Sequence, residues 1–109
     1  MTRQEVKSMV ESIGLAYDYY QFPEGTAQPC PFLIFYYGTS SDPFADNSNY
    51  ASITNLVIEL YTDAIDFSLQ ADIEEALKAN GLTYTRSEEY IDSERMHMTT
   101  YESEVLING

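Results

Sequence analysis

The stretch that most constrains the fold is residues 52–84, which predicts a long strand, a helix and a returning strand. In residues 53–61 the aliphatic side chains Leu56, Ile58 and Leu60 occupy alternate positions. Successive side chains of a strand point to opposite faces of the sheet, so this pattern gives the strand one wholly aliphatic side. Such a surface needs a cover of other apolar groups.

The helix that follows supplies this cover. Leu69, Ile73 and Leu77 recur at helical spacing and form a narrow apolar stripe on a polar, acidic helix. Each would contribute about 1.5 to 3 kcal/mol by leaving water, which is enough to hold the helix on the sheet. The candidate cap residues of this helix are Asp63 or Asp66 at its start and Asn80 with Gly81 at its end.

The remaining elements complete an α+β fold. Thr2 and Glu5 form a capping-box pattern before an amphipathic first helix. We predict a single domain, residues 1–109, with two helices packed on one face of a mixed four- to five-stranded sheet in the order α-β-β-β-α-β-β. The predicted segments are a helix at 3–13, strands at 15–22, 32–37, 53–61, 82–86 and 95–107, loops at 23–31 and 38–49, and an acidic turn region at 87–92.

Two helices of this size leave the second face of the sheet uncovered, and this predicts self-association. A monomer rarely exposes a large apolar patch, and Tyr, Phe and Met are enriched at protein interfaces. The ten tyrosines and four methionines fit this view, although tyrosine also simply suits strands. The candidate interface residues are Phe35, Tyr37, Val57, Tyr61, Met96, Met98 and Tyr101.

The net charge of the chain limits the kinds of molecule that it can bind. The chain has 18 acidic and 5 basic residues and a net charge of -13, which repels phosphate backbones and argues against direct sequence-specific nucleic-acid binding. Three interpretations of the acidic surface remain: it increases solubility, it lets DNA pass without adhering, or it imitates DNA. No apolar run approaches the roughly 20 residues of a membrane span, and the polar start of the chain is unlike a signal peptide, so we expect a cytoplasmic protein without membrane association.

The sequence offers little for catalysis or cofactor binding. Cys30 is the single cysteine and lies between two prolines, and His97 is the single histidine and lies in a predicted strand. Neither belongs to a nucleophile, zinc or nucleotide-binding motif, so we expect no enzyme activity, no metal and no cofactor, with His97 a partly buried structural residue.

Two acidic groups are candidate cation sites. Glu88, Glu89, Asp92 and Glu94 have no regular ligand spacing. The loop residues Asp42, Asp46, Asn47 and Asn49 do not match a calcium-binding pattern. We interpret both groups as solvated charged surface.

Several stretches resemble small proteins of the head-to-tail region of prophages in Gram-positive bacteria. The resemblance lies in residues 55–63 (NLVIELYTD), in residues 73–82 (IEEALKANGL) with the acidic hairpin that follows to Glu104, and in the opening helix and residues 29–37 (PCPFLIFYY). In size and element order the chain is similar to the tail-terminator, or tail-completion, proteins of long-tailed phages.

The resemblance implies a structural role. Members of this family assemble into a ring, commonly of six subunits, that caps the tail tube and contacts the head connector. It implies a homo-oligomer with other phage tail or connector proteins as partners, present in the host cytoplasm during assembly and then in the virion tail. The candidate residues for ordering on assembly are Asp42, Phe44 and Asp46. The alternative hypothesis is an acidic DNA mimic that inhibits a host nucleic-acid-binding protein.

Overall fold

The computed structural model describes residues 1–22, 28–38 and 52–107. These residues form one five-stranded mixed sheet with strand order β1-β2-β3-β5-β4. β1 and β2 are parallel, and the other neighbouring pairs are antiparallel. The elements are α1 (Arg3–Glu11), β1 (Ala16–Tyr19), β2 (Phe32–Tyr37), β3 (Ser52–Thr62), α2 (Phe67–Ala79), β4 (Thr85–Ile91) and β5 (Met96–Ile107). The predicted fold class and element order are confirmed.

Both helices begin with side-chain caps. In α1 the Thr2 hydroxyl accepts the Glu5 amide at 3.1 Å and the Glu5 carboxylate accepts the Thr2 amide at 2.8 Å, as a capping box requires. In α2 the cap is Asp66, whose carboxylate accepts the Leu69 amide at 3.0 Å. Gly81 follows α2 with a φ of +73°, the left-handed conformation that favours glycine.

The core lies between the helices and one face of the sheet, which we call the helix face. The predicted stripe of α2 is confirmed, since Ile73 and Leu77 are buried and Leu69 packs against the core. Leu56, Ile58 and Leu60 of β3 are each at most 1% exposed. The buried core residues are Val6, Met9 and Val10 of α1, Ile73 and Leu77 of α2, and Leu33, Phe35, Leu56, Ile58, Leu60, Tyr101, Val105 and Ile107 of the sheet.

Three predicted segments differ from the structure. The strand predicted at 82–86 is β4, which begins at Thr85 and ends at Ile91. Residues 87–92, predicted as an acidic turn, lie mostly in β4, and the turn occupies residues 92–95 instead. β4 is an outermost strand with almost every residue exposed, so backbone pairing with β5 holds it without an apolar pattern. β1 is shorter than predicted because Tyr20 has a φ of 72°, a conformation that interrupts an extended strand.

Candidate assembly surfaces

The sheet face opposite the helices, which we call the outer face, carries apolar groups at one end and, further along β3 and β5, a band of carboxylates. Strand register places Phe32 beside Tyr61 and Tyr61 beside Met98 across three neighbouring strands. The rings of Phe32 and Tyr61 stack with centroids 4.8 Å apart. We call this end of the face the outer apolar patch; it consists of Phe32, Ile34, Val57, Tyr61, Met96 and Met98.

The outer apolar patch is less bare than the sequence predicts. Phe32, Ile34 and Val57 are 8%, 7% and 4% exposed although the two described helices pack on the opposite face of the sheet. Phe22 packs edge-on against Phe32 at 5.4 Å, so neighbouring aromatic rings supply part of the cover. The part that solvent still reaches comes from half-buried side chains, among them Tyr61 and Met98.

Glu59 lies within this aromatic surface, and two tyrosine hydroxyls donate hydrogen bonds to its carboxylate. The Tyr61 hydroxyl donates to Oε1 at 2.7 Å and the Tyr36 hydroxyl donates to Oε2 at 3.1 Å. Burial, together with the nearby Glu59 carboxylate, raises the pKa of both phenols, so they stay protonated donors. Each carboxylate oxygen therefore already accepts a hydrogen bond, which lowers the cost of covering this surface with another protein.

Further along β3 and β5 the outer face is polar, before the exposed pair Ile53 and Leu106 at its end. Glu102 is exposed on β5 and accepts a bond from the side-chain amide of Asn55 at 2.9 Å. Glu104 is also exposed on β5 and lies opposite Asn55 in the register. The outer face therefore combines an apolar patch with neighbouring carboxylates, and protein contact surfaces also combine apolar and polar areas.

The predicted interface residues divide between the two faces. Val57, Tyr61, Met96 and Met98 lie on the outer face, as their positions in the register show. Phe35, Tyr37 and Tyr101 lie on the helix face instead, where Phe35 and Tyr101 are 5% and 1% exposed and Tyr37 packs against the core. These three side chains therefore lie on the face opposite the outer apolar patch. Asp42, Phe44 and Asp46 lie outside the described residues.

A polar seam joins α2 to β4 and β5. Buried Gln70 donates to Glu88 and to Thr99, each at 3.0 Å, and His97 Nε2 lies 2.9 Å from the same Glu88 oxygen. These hydrogen bonds, with His97 first, lower the pKa of the Glu88 carboxyl. The expectation that His97 is a buried structural residue agrees with its 7% exposure and this partner. The sequence pattern did not reveal Gln70, which interrupts the apolar stripe of α2.

The second part of the seam centres on Glu74. Its Oε2 accepts the Tyr101 hydroxyl at 2.8 Å and the Arg86 guanidinium at 2.7 Å. Burial acts to raise the pKa of Glu74, but the bonds from Tyr101, Arg86 and Tyr84 outweigh it and the pKa is lowered. The seam therefore fixes α2 on the sheet through bonds between charged and hydroxyl groups.

Neighbouring members of the predicted acidic cluster lie on opposite faces of β4. Glu88 points to the helix face and bonds to His97, whereas Glu89 pairs with Met98 on the outer face. Within residues 1–22, 28–38 and 52–107, no group of three or more His, Cys, Asp or Glu side chains could hold a metal ion. Burial, with the Asp63 charge, raises the pKa of the Cys30 thiol, which disfavours the reactive thiolate.

The fold and surfaces define a small α+β protein with one packed sheet face and one partly covered face. No protein-family model and no curated protein matches the chain. Its fold is similar to that of a chain in a solved structure described as the virion of a native gene transfer agent particle, with a TM-score of 0.53 and 14% identity over 94% of this chain and 90% of that one. Among the described helices, none has the length and apolar character needed to span a membrane.

Proposed function

We propose that this chain is a structural, non-catalytic protein of a phage or phage-like particle. The observation that carries the proposal is the likeness to a chain of the gene transfer agent virion, which extends over nearly the full length of both chains. A likeness over 94% of this chain relates whole architectures rather than one common supersecondary motif.

Within the particle we assign the chain to the tail terminus or head–tail joint, where it acts as a ring-forming subunit that docks to the tail tube or connector. The sequence resemblance to tail-terminator proteins supports this finer assignment. A ring subunit needs surfaces for its neighbours and for the adjoining component, and the outer apolar patch is a candidate for one of them. The net charge of -13 suits a particle through which DNA passes, because an acidic lining does not retain phosphates.

Gene deletion tests this function directly. We expect a strain that lacks the gene to produce heads and tails that fail to join, or tails of abnormal length, when induced lysates are viewed by negative-stain electron microscopy. Expression of the wild-type chain from a plasmid should restore joined particles. If joined particles of normal tail length persist at the wild-type frequency after deletion, the proposed function is wrong.

The ring is tested separately on the purified chain. Light scattering coupled to size exclusion should give a mass several times that of the 12.4 kDa subunit, and negative-stain images of the peak should show rings. A solitary subunit at high concentration together with normal tails after deletion would contradict both parts of the proposal.

A further inference from the structure

Exposed apolar side chains are concentrated at the two opposite edges of the sheet. Seven large hydrophobic residues are exposed in the described part of the chain. Two of them, Tyr19 and Tyr20, lie at the end of β1, and three others, Ile65, Phe67 and Tyr90, lie beside or near β4. Since β1 and β4 are the outermost strands of the described sheet, the two groups face away from each other.

The edge at β1 forms a groove with basic and aromatic walls, which we call the basic groove. It has a volume of about 480 Å³ and is lined by Arg3 and Lys7 from α1 and by Tyr17, Tyr19 and Tyr37, with Asp18 and Phe35 completing the wall. The Arg3 guanidinium lies 5.9 Å from the centroid of the Tyr37 ring. Two of the five basic residues of this strongly acidic chain therefore line one groove.

The edge at β4 has the opposite charge, and we call it the acidic edge. A depression of about 640 Å³ is lined by Asp63, Ala64, Ile65, Glu88, Glu89, Tyr90 and His97. Phe67, the first residue of α2, lies two positions beyond Ile65 and is 77% exposed. The acidic edge thus offers carboxylates next to apolar side chains that favour burial.

We propose that the basic groove of one copy receives the acidic edge of the next copy, an inference that rests on the ring assembly of the proposed function. Opposite charges face each other in this contact, and the exposed Tyr19 of the groove meets the exposed Ile65, Phe67 and Tyr90. The contact joins two different surfaces on opposite edges of the subunit. A contact of this kind repeats head to tail and closes into a ring when the rotation allows.

The contact also covers the unpaired edges of the two outermost strands of the described sheet. An unpaired strand edge is a template for association, and mutual coverage of β1 and β4 removes both edges from solvent. The outer apolar patch takes no part in this contact and is left for a different component of the particle.

Charge reversal on each side separately tests the contact. The groove variant carries Arg3→Glu and Lys7→Glu, and the edge variant carries Asp63→Lys and Glu89→Lys. We expect each variant alone to dissociate about tenfold more readily than the wild type, because like charges then face each other. A one-to-one mixture should assemble again, since each reversed surface meets a surface of opposite sign on the other variant.

Matched controls reverse charges elsewhere on the exposed surface of α2, with Lys78→Glu and Asp72→Lys. These controls should assemble like the wild type, and circular dichroism should show native secondary structure for all variants. The readout is the mass from light scattering as a function of concentration.

The outcomes separate this inference from the proposed function. If the wild type forms rings and both charge-reversed variants form them equally well, the contact is wrong while ring assembly stands. If the variants dissociate but the mixture does not reassemble, the pairing of these two surfaces is wrong. If the wild type is a monomer throughout, this inference is overturned, and the tail phenotype of the deletion strain alone decides the proposed function.

Discussion

The two faces of the sheet use the same strands but have different physical roles. On the helix face the central residues Leu33, Leu56 and Leu60 are at most 1% exposed, because α1 and α2 close over them. On the outer face the register neighbours Tyr61 and Met98 keep part of their surface in solvent. The alternation of a strand thus separates a surface that stabilises the subunit from a surface that remains for contacts.

This difference predicts which property each substitution changes. A substitution on the helix face should change the free energy of unfolding and affect assembly only through the amount of folded protein. A substitution on the outer face should leave the free energy of unfolding nearly unchanged and act on contacts with other proteins. The four predictions below run from the largest to the smallest expected effect on stability.

The largest effect is expected for Ile73→Ala in α2. Ile73 is fully buried in the core, so the substitution removes apolar contacts and leaves a cavity, at a cost of about 2 to 5 kcal/mol in the free energy of unfolding. Urea denaturation followed by circular dichroism measures this change. The matched control is Ile65→Ala, which removes the same groups from a residue that is 52% exposed and should change stability by less than about 0.5 kcal/mol. Equal effects at the two positions would contradict the helix face as the stabilising surface.

The second prediction concerns the pH dependence contributed by Glu74. Its pKa is lowered in the folded protein from an ordinary value of 4.5, so an unfolded chain binds the proton first as the pH falls. The stabilisation by Glu74 is therefore present above about pH 4.5 and is lost as the pH falls through the lower folded pKa.

Urea midpoints of the wild type and Glu74→Gln between pH 3 and pH 7 test this prediction. The variant should be less stable at neutral pH, and the difference should shrink toward the acid end. Glu75→Gln, an exposed neighbour on α2, is the matched control and should stay close to the wild type throughout. A difference between Glu74→Gln and the wild type that stays constant with pH would show that the seam does not stabilise the ionised carboxylate.

The main features of the fold were predictable because they depend on strong periodic patterns. Leu56, Ile58 and Leu60 alternate cleanly, and Ile73 and Leu77 follow helical spacing, so the pairing of helix and sheet followed from the sequence. β4 was predicted too early in the chain, at 82–86, because its side chains are nearly all exposed and its pairing is a backbone property. The left-handed residue Tyr20, which ends β1 early, has no sequence signal, because any non-glycine residue is uncommon in that conformation.

The contact surface was only partly predictable. In β2 both sides are apolar, so the sequence contains no alternation that assigns Phe35 and Tyr37 to a face. In β5 the alternation is present and separates Met98 from Tyr101, so strand periodicity could have excluded Tyr101 from the outer set. Gln70 gave no signal, because a polar residue in an apolar stripe is recognised as a buried partner only when Glu88 and Thr99 are known to face it.

The third prediction is a stabilising substitution on the helix face. Thr62 is 4% exposed, and its hydroxyl has no hydrogen-bond partner among the residues that the structure describes. Thr62→Val keeps the β-branched shape and removes a buried polar group, so we expect a gain of about 1 kcal/mol in the free energy of unfolding. Thr62→Ser, which keeps the hydroxyl and loses the methyl group, is the control and should be less stable than the wild type. A loss of stability in the valine variant would mean that the hydroxyl is satisfied.

The smallest effect on stability and a large effect on function are expected for Met98→Lys on the outer face. The lysine stem can lie along the surface of Tyr61, and its ammonium group comes beside Glu89, the register partner of position 98 on β4. The free energy of unfolding should therefore change by less than about 0.5 kcal/mol. In a particle contact, by contrast, the ammonium group and Glu89 would be taken out of water together within an apolar surface, and the desolvation of such a pair is costly. We expect the variant to be folded but unable to restore joined tails in the deletion strain, whereas Glu75→Lys on the exposed side of α2 restores them.

Full restoration by Met98→Lys would show that the outer apolar patch makes no contact in the particle. The two faces of the sheet would then differ only in how much they contribute to the stability of the subunit.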